Sequence, residues 1–164
     1  GCRARRDNCR SRADAAERAE AGRDPAREVI ALAGEGIEIT GTVPDVRPHL
    51  AGAAVSVCPM VTGSGIQNKM LEAMAVGAPT VSTTIACQAL SVEPGRDVLV
   101  ADKPEAFADC VVRLLNDGEL RRRMAANARR YVEQHHDWRA IGCRLEEIYD
   151  GLLSGNQTSQ HRAN

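Results

Sequence analysis

Hydrophobic and polar positions along the chain follow two kinds of period. Short runs rich in β-branched residues predict strands at 37–40, 54–58, 80–84 and 98–101. Apolar residues recurring at three- and four-residue steps predict helices at about 25–33, 46–53, 66–76, 104–115, 119–135 and 141–153. Because strands alternate with helices, we expect an α/β fold, with a Rossmann-like parallel sheet and helices on both faces.

The most informative unit is strand, glycine loop, helix and strand within residues 54–84. The strand at 54–58 leads into Gly63-Ser-Gly65, and the helix that follows has one apolar face and ends at Gly77 and Pro79. The residues predicted to form that face are Met70, Leu71, Met74 and Ala75. Such a unit directs free backbone N–H groups and the positive end of a helix at one point, which suits a phosphate. A glycine loop before a helix is also often only a tight turn.

Three polar segments fall where predicted strands end. They are Thr42-Val43, Gly63-Ser-Gly65 and Thr83-Thr84. In an open parallel sheet, ligands bind beyond the carboxyl ends of the strands. We therefore expect these segments to meet at one edge and to hold a nucleotide-type ligand.

Length and composition indicate one globular domain with two tails. In the 164-residue chain we expect a disordered or non-native arm at 1–24, a domain at 25–153 and a disordered polar tail at 154–164. The arm is rich in Arg and Ala and lacks an apolar period. It could instead be a basic nucleic-acid arm, or an out-of-frame reading of a GC-rich gene. Because residue 1 is Gly, we expect the chain to be a fragment or a processed piece.

Charge and cysteine usage restrict the partners and the compartment. With a net charge of −1, no bulk field draws the chain to nucleic acid. No long apolar run predicts a membrane span, and no segment resembles a secretory signal. The six cysteines form no Cys-x2-Cys pair, so we expect free thiols, a cytoplasmic location and no metal site. The alternative of a metal pair at His135-His136 is disfavoured because adjacent side chains on a helix point apart.

Residues 25–153 resemble the carboxyl-terminal, donor-binding half of a GT-B glycosyltransferase of the retaining class called family 4. The resemblance lies in a set of segments in this order: Gly41-Thr-Val-Pro-Asp-Val46, Gly65-Ile-Gln-Asn-Lys-Met-Leu-Glu-Ala-Met-Ala75, Val76-Gly-Ala-Pro-Thr-Val81, Glu93-Pro-Gly-Arg-Asp97 and the helix that follows Trp138. The Gly-Ile-Gln-Asn-Lys form resembles a bacterial branch associated with exopolysaccharide biosynthesis.

The resemblance implies a site for a nucleotide diphosphate sugar. Glu72 matches the second Glu of the family's Glu-x7-Glu motif and would bind the ribose hydroxyls. Ser64 stands where the first Glu, a contact to the donor sugar, is expected. The remaining implied contacts are Gly65, Ile66, Gln67 and Lys69 at the diphosphate, with Thr42 and Val43 along the base. Gly63 and Thr83 are candidate contacts because of their place at the ends of predicted strands. No cofactor is implied, and no catalytic residue can be named.

The resemblance also implies what the chain lacks. The acceptor-binding domain is missing, and the text before Pro25 does not match the strand, helix and strand that open the family's donor domain. We therefore expect an incomplete sheet, weak stability and self-association of the fragment through the gap. The resemblance allows peripheral membrane association of the intact enzyme.

Two other functions stay open. The chain could be a nucleotide-binding remnant without activity, or part of a nucleotide-sugar epimerase of the same architecture. The base, sugar, acceptor and linkage do not follow from the sequence.

Overall fold

A computed structural model of the chain describes residues 18–21 and 25–160. These residues divide into two compact units, with the division between Ala53 and Ala54.

The first unit holds a parallel pair of strands and two short helices. Strand β1 (Arg18–Ala21) pairs with β2 (Ile37–Gly41), and helices α1 (Arg27–Ile30) and α2 (Arg47–Gly52) follow the two strands. β1 lies inside the segment predicted as a disordered or non-native arm, so the structure differs from that prediction at these four residues. The rest of the arm, 1–17 and 22–24, lies outside the described residues.

Asp45 organises the start of α2, although not as its N-cap residue. The N-cap position is Val46, and the Asp45 carboxylate accepts hydrogen bonds from Arg47 N and Arg47 Nε, both at 2.9 Å. These bonds lower the pKa of Asp45, with the side-chain bond from Arg47 as the larger cause. Asp45 therefore acts on the first turn of α2 from the residue before the N-cap.

The second unit is an α/β layer built on three parallel strands. β3 (Ser56–Cys58), β4 (Thr80–Ser82) and β5 (Leu99–Val100) pair in the order β3-β4-β5, with Val57 opposite Val81 and Val81 opposite Leu99. The helices are α3 (Asn68–Ala75), α4 (Thr84–Cys87), α5 (Pro104–Asn116), α6 (Gly118–His135) and α7 (Trp138–Gln160). The predicted α/β architecture is confirmed, and each of the four predicted strands is present in shorter or similar form.

Alternation along the strands separates two apolar clusters on opposite faces of the sheet. Val98 packs in one cluster with partly buried Val100 against it, whereas Leu99 packs in the other. The first cluster joins Cys58, Met70, Met74, Ala86, Cys87, Val98, Ala128 and Tyr131. The second joins Val81, Leu99, Leu114, Leu120 and Met124. Helix α3 packs on the first face and α5 on the second, while α6 contributes to both clusters, so helices cover both faces as predicted.

The α5–α6 junction shows how local sequence ends one helix and begins the next. Asp117 accepts hydrogen bonds from Glu119 N (3.0 Å) and Leu120 N (2.8 Å), two amides that lack partners within the helix. This satisfies the first turn of α6 directly after α5 stops. Asp117, which lies between the helices predicted at 104–115 and 119–135, is therefore both the C-cap of α5 and the N-cap of α6.

Helix α7 is longer than predicted and exposes an apolar stripe. It continues to Gln160, whereas the sequence predicts a disordered tail from Ser154, of which residues 161–164 lie outside the described chain. Its exposed apolar residues are Trp138, Ile141, Leu145, Ile148, Tyr149, Leu152 and Leu153. None of the helices in the described residues is long and apolar enough to cross a membrane.

Candidate functional site

The carboxyl ends of β3, β4 and β5 lie at one edge of the sheet because the three strands are parallel. The segments that follow them form what we call the carboxyl rim: residues 59–67 after β3, Thr83 and Thr84 after β4, and Asp102 beyond β5. The rim combines a glycine loop, a helix N-terminus and several hydrogen-bonding side chains.

The glycine loop needs the glycines that it has. Gly65 has φ of 72°, a left-handed conformation that side-chain-bearing residues rarely adopt. Gly63 has φ of 151°, and a Cβ there would overlap the Met60 Cε atom. Gln67 Nε2 donates to the carbonyl oxygens of Ser64 (3.3 Å) and Gly65 (3.4 Å). These carbonyls are thus held by an amide of the loop itself.

The N-terminus of α3 follows the loop directly and has no side-chain cap. Gln67 occupies the N-cap position without a capping hydrogen bond, and the first turn contains no acidic residue. Met70, Ala73 and Met74 are buried, which anchors the helix against the sheet. The partial positive charge of the first turn is therefore not offset by a carboxylate, an arrangement that suits an anion.

Side chains from β4, α4 and the end of β5 tie the rim together. Thr83 Oγ1 donates to Met60 O at 2.6 Å, and Gln88 Nε2 donates to Gly63 O at 3.4 Å. The Asp102 carboxylate accepts from Thr84 N (2.8 Å) and Thr84 Oγ1 (2.7 Å). The bond from the Thr84 side chain, followed by the backbone bond, lowers the pKa of Asp102.

Glu72 and Lys69 lie on one side of α3, since residues three apart share a helix face. Both are exposed. Within the described residues, the Glu72 carboxylate has no hydrogen bond or ion pair, so it is available to a ligand. Lys69 acts on the buried Cys58 thiol: burial raises the pKa of Cys58, and the nearby Lys69 charge partly opposes this rise.

The structure brings together the predicted residues of the second unit. Gly63, Ser64, Gly65, Ile66 and Gln67 are contiguous, and the Thr83 hydroxyl reaches the same loop at Met60. Ser64 and Ile66 are exposed, so their side chains are accessible. Thr42 and Val43 belong to the first unit, where they directly follow Gly41 at the end of β2.

Two cysteines and two histidines of the second unit pack within it. Cys58 and Cys87 are free and buried, and burial raises the pKa of each thiol. The rings of His135 and His136 pack against Tyr131, with centroids 4.8 and 5.4 Å away. Across residues 18–21 and 25–160, no group of three or more His, Cys, Asp or Glu residues could hold a metal ion.

Sequence reasoning missed Met60 and Asp102 of the rim, and also Gln88, the residue that follows α4. Asp102 could have been found, because it is the first charged residue after the predicted strand 98–101. Gln88 and the carbonyl of Met60 carry no such signal. Their roles depend on how the α4 segment packs beside the glycine loop.

Comparison with known proteins shows which family the sequence resembles. The sequence pattern of the family described as "Glycosyl transferases group 1" matches residues 9–117. This match begins before Pro25, so the expectation that the preceding text matches nothing in the family is wrong for residues 9–24. The putative glycosyltransferase YtcC of Bacillus subtilis is 31% identical over 105 residues, which are 62% of this chain and 26% of that protein.

Solved structures show the same fold at low identity. Sucrose-phosphate synthase from Thermosynechococcus elongatus matches with a TM-score of 0.72 and 22% identity, over 90% of this chain and 42% of that one. Anabaena HepE in complex with UDP-glucose matches with a TM-score of 0.70 and 16% identity, over 82% and 41%. The chain spans between 20% and 26% of the curated relatives that it matches.

Proposed function

Since the chain belongs to the family of group 1 glycosyl transferases and has the fold of a GT-B carboxyl-terminal domain, we propose that it binds the nucleotide diphosphate sugar of a retaining, family-4-like glycosyltransferase. The observation that carries the proposal is the uncapped N-terminus of α3 directly after the glycine loop. HepE, a solved neighbour, is in complex with UDP-glucose, which supports this class of ligand.

The diphosphate would lie against the backbone of Gly65, Ile66 and Gln67. Gln67 engages the carbonyl oxygens of the loop, so these negative dipoles are partly satisfied before an anion arrives. The first-turn amides of α3 would then donate to phosphate oxygens, and the helix dipole would add to the attraction. Lys69 would supply a full positive charge.

Glu72 would accept hydrogen bonds from both ribose hydroxyls. A carboxylate has two acceptor oxygens, and Glu72 has no competing partner within the described residues. Ser64 would contact the donor sugar with one hydroxyl, where the family has an acid. Thr83 would support the loop.

In the complete protein, the second domain would bring an acceptor hydroxyl to the anomeric carbon, and configuration would be retained. The donor domain would stabilise the departing diphosphate through the α3 N-terminus and Lys69, which favours charge that develops in the transition state. This would need neither a metal nor a cofactor. We place the enzyme in bacterial exopolysaccharide biosynthesis in the cytoplasm, with peripheral membrane association and no nucleic-acid partner. Self-association of this chain through the gap in an incomplete sheet stays a prediction.

Calorimetric titration of the 164-residue chain with UDP, GDP and ADP tests the proposal. We expect one of the three to bind at a single site. Glu72→Gln should weaken that binding at least about tenfold, because it replaces a charged group with two acceptor oxygens by a neutral amide with one. Glu147→Gln, an exposed change on α7, should have no effect. No affinity for any of the three diphosphates would refute the proposal, and unchanged affinity in Glu72→Gln would refute the ribose assignment alone.

A further inference from the structure

A relay of hydrogen bonds crosses the carboxyl rim from β5 to β3. It begins at Asp102, which accepts from Thr84 N and Thr84 Oγ1 at 2.8 and 2.7 Å. It continues through the adjacent residue Thr83, whose hydroxyl donates to Met60 O at 2.6 Å. Met60 lies three residues before Gly63, in the segment 59–67 that carries the glycine loop. The relay therefore links the end of β5 to the segment that follows β3.

The two ends of the relay differ in burial and in charge. Thr83 is 6% exposed, so its bond to Met60 is shielded from water and has a fixed geometry. Asp102 is exposed. One oxygen of its carboxylate accepts a hydrogen bond from the Thr84 amide, and the other accepts one from the Thr84 hydroxyl. Hydrogen bonds to a carboxylate are stronger than those between neutral groups. Asp102 therefore fixes the turn from β4 into α4 although it lies in water.

This turn decides where the Thr83 hydroxyl points. Thr83 is the N-cap residue of α4, a helix of only four residues, and its own hydroxyl makes no cap. The bonds from Thr84 to Asp102 stand in for that missing cap. They leave Thr83 Oγ1 free to donate across the sheet to Met60.

We propose that Asp102 is a positioning residue for the diphosphate site, acting through Thr84 and Thr83 on the glycine loop. The inference rests on the proposed function, because the loop is the part of the rim that would face the diphosphate. Asp102 itself does not contact the ligand. Its negative charge is directed to Thr84, and its effect on an anion is exerted through loop geometry.

Binding measurements on five variants of the full chain separate this role from the alternatives. The five variants are Asp102→Ala, Thr84→Val, the double variant that combines these two changes, Asp102→Asn and Thr84→Ser. With the diphosphate that the wild type binds, we expect Asp102→Ala and Thr84→Val each to weaken affinity about two- to tenfold, the range for loss of an ordinary hydrogen bond. The double variant should be no weaker than Asp102→Ala, because both changes break the same link. Thr84→Ser keeps the hydroxyl and should restore wild-type affinity, with Asp102→Asn between.

Two results in folded protein would overturn the inference. If Asp102→Ala lowers the melting temperature but leaves affinity unchanged, Asp102 is only structural. If the losses from Asp102→Ala and Thr84→Val multiply in the double variant, Asp102 acts on the ligand independently of Thr84. Should Asp102→Ala fail to fold, Thr84→Val and Thr84→Ser still decide whether the link matters.

Amide hydrogen exchange without ligand separates failure of this inference from failure of the proposed function. We expect Asp102→Ala and Thr84→Val to accelerate exchange at Thr84 and across residues 59–67, with α5 unchanged. If the wild type binds no diphosphate, the proposed function fails, and this measurement still decides whether the relay holds the loop. Unchanged exchange at 59–67 in both variants would overturn the inference by itself.

Discussion

The hydroxyl of Tyr131 fastens the connection between α4 and β5 to helix α6. Tyr131 is 6% exposed, its hydroxyl accepts from Ser91 N at 2.9 Å, and His136 Nε2 lies 3.2 Å away. Tyr131→Phe removes only this oxygen and keeps the ring in the first apolar cluster. We therefore expect the variant to fold and to lose stability through hydrogen bonding alone.

The size of the loss follows from the surroundings of the two partners. A net hydrogen bond contributes about 0.5–1.5 kcal/mol, and a buried donor left without a partner costs about 1–3 kcal/mol. Ser91 is an exposed residue, so water can reach its amide after the change, and the lower part of these ranges applies. We expect a loss of about 1 kcal/mol in the free energy of unfolding.

Urea denaturation followed by circular dichroism measures this loss. With a slope of about 2 kcal/mol/M, the midpoint should fall by about 0.5 M at unchanged slope. Tyr149→Phe is the matched control, because Tyr149 is 58% exposed on α7 and should leave the midpoint unchanged. Equal midpoints for the two variants would refute the assigned role of the Tyr131 hydroxyl.

The same residue predicts an alkaline effect. Burial raises the pKa of Tyr131 above its ordinary value of 10.0. The folded state then holds the proton more tightly than the unfolded chain, so this contribution is complete below pH 10 and is lost as the pH rises through the folded pKa. Tyr131→Phe should remove that part of the alkaline loss of stability.

Three further changes test other parts of the structure. Gly65→Ala should lower the free energy of unfolding in urea by about 1–2 kcal/mol and weaken diphosphate binding, because φ at Gly65 is 72°. The control Gly142→Ala lies in a helix with open space around it and should be neutral or stabilising. Equal effects of the two changes would contradict the argument from backbone strain. Thr83→Val should cost about 1–2 kcal/mol, because it leaves Met60 O without its donor, and an unchanged urea midpoint would speak against this bond. Burial, and to a smaller extent the neighbouring His135, lowers the pKa of His136 below 6.5. The contribution of His136 to stability is therefore present above pH 6.5 and is lost as the pH falls. His136→Gln should flatten the decline in melting temperature below pH 6.5, and the same decline in the variant and the wild type would refute this role.

Local sequence predicted most elements of the second unit, because apolar period and turn residues are properties of short segments. The strand, glycine loop, helix and strand of residues 54–84 are present as β3, the loop, α3 and β4. The buried face of α3 was predicted less well. Ala73 is fully buried and Ala75 is exposed, so the face is rotated from the predicted one. The small side chain of alanine permits close packing on either side and does not mark which side faces the sheet.

The candidate site was predicted in part for the same reason. The glycine loop, Glu72 and Lys69 form one contiguous segment, and their exposure on the loop and α3 agrees with a binding role. Strand β1 was not predicted, since Arg18-Ala-Glu-Ala21 contains no β-branched or aromatic residue. Its backbone pairs with β2, and backbone hydrogen bonds need no particular side chains.

The sequence by itself determined the order of strands and helices, the glycine loop and the position of Glu72 on its helix. Only the tertiary structure decided that Thr84 meets Asp102, 18 residues later, and that Thr83 meets Met60, 23 residues earlier. Those contacts depend on the parallel register of three strands, which places their carboxyl ends side by side. A repeating pattern of three or four residues reports which side of an element is buried, but it carries no information about which strand ends will be neighbours.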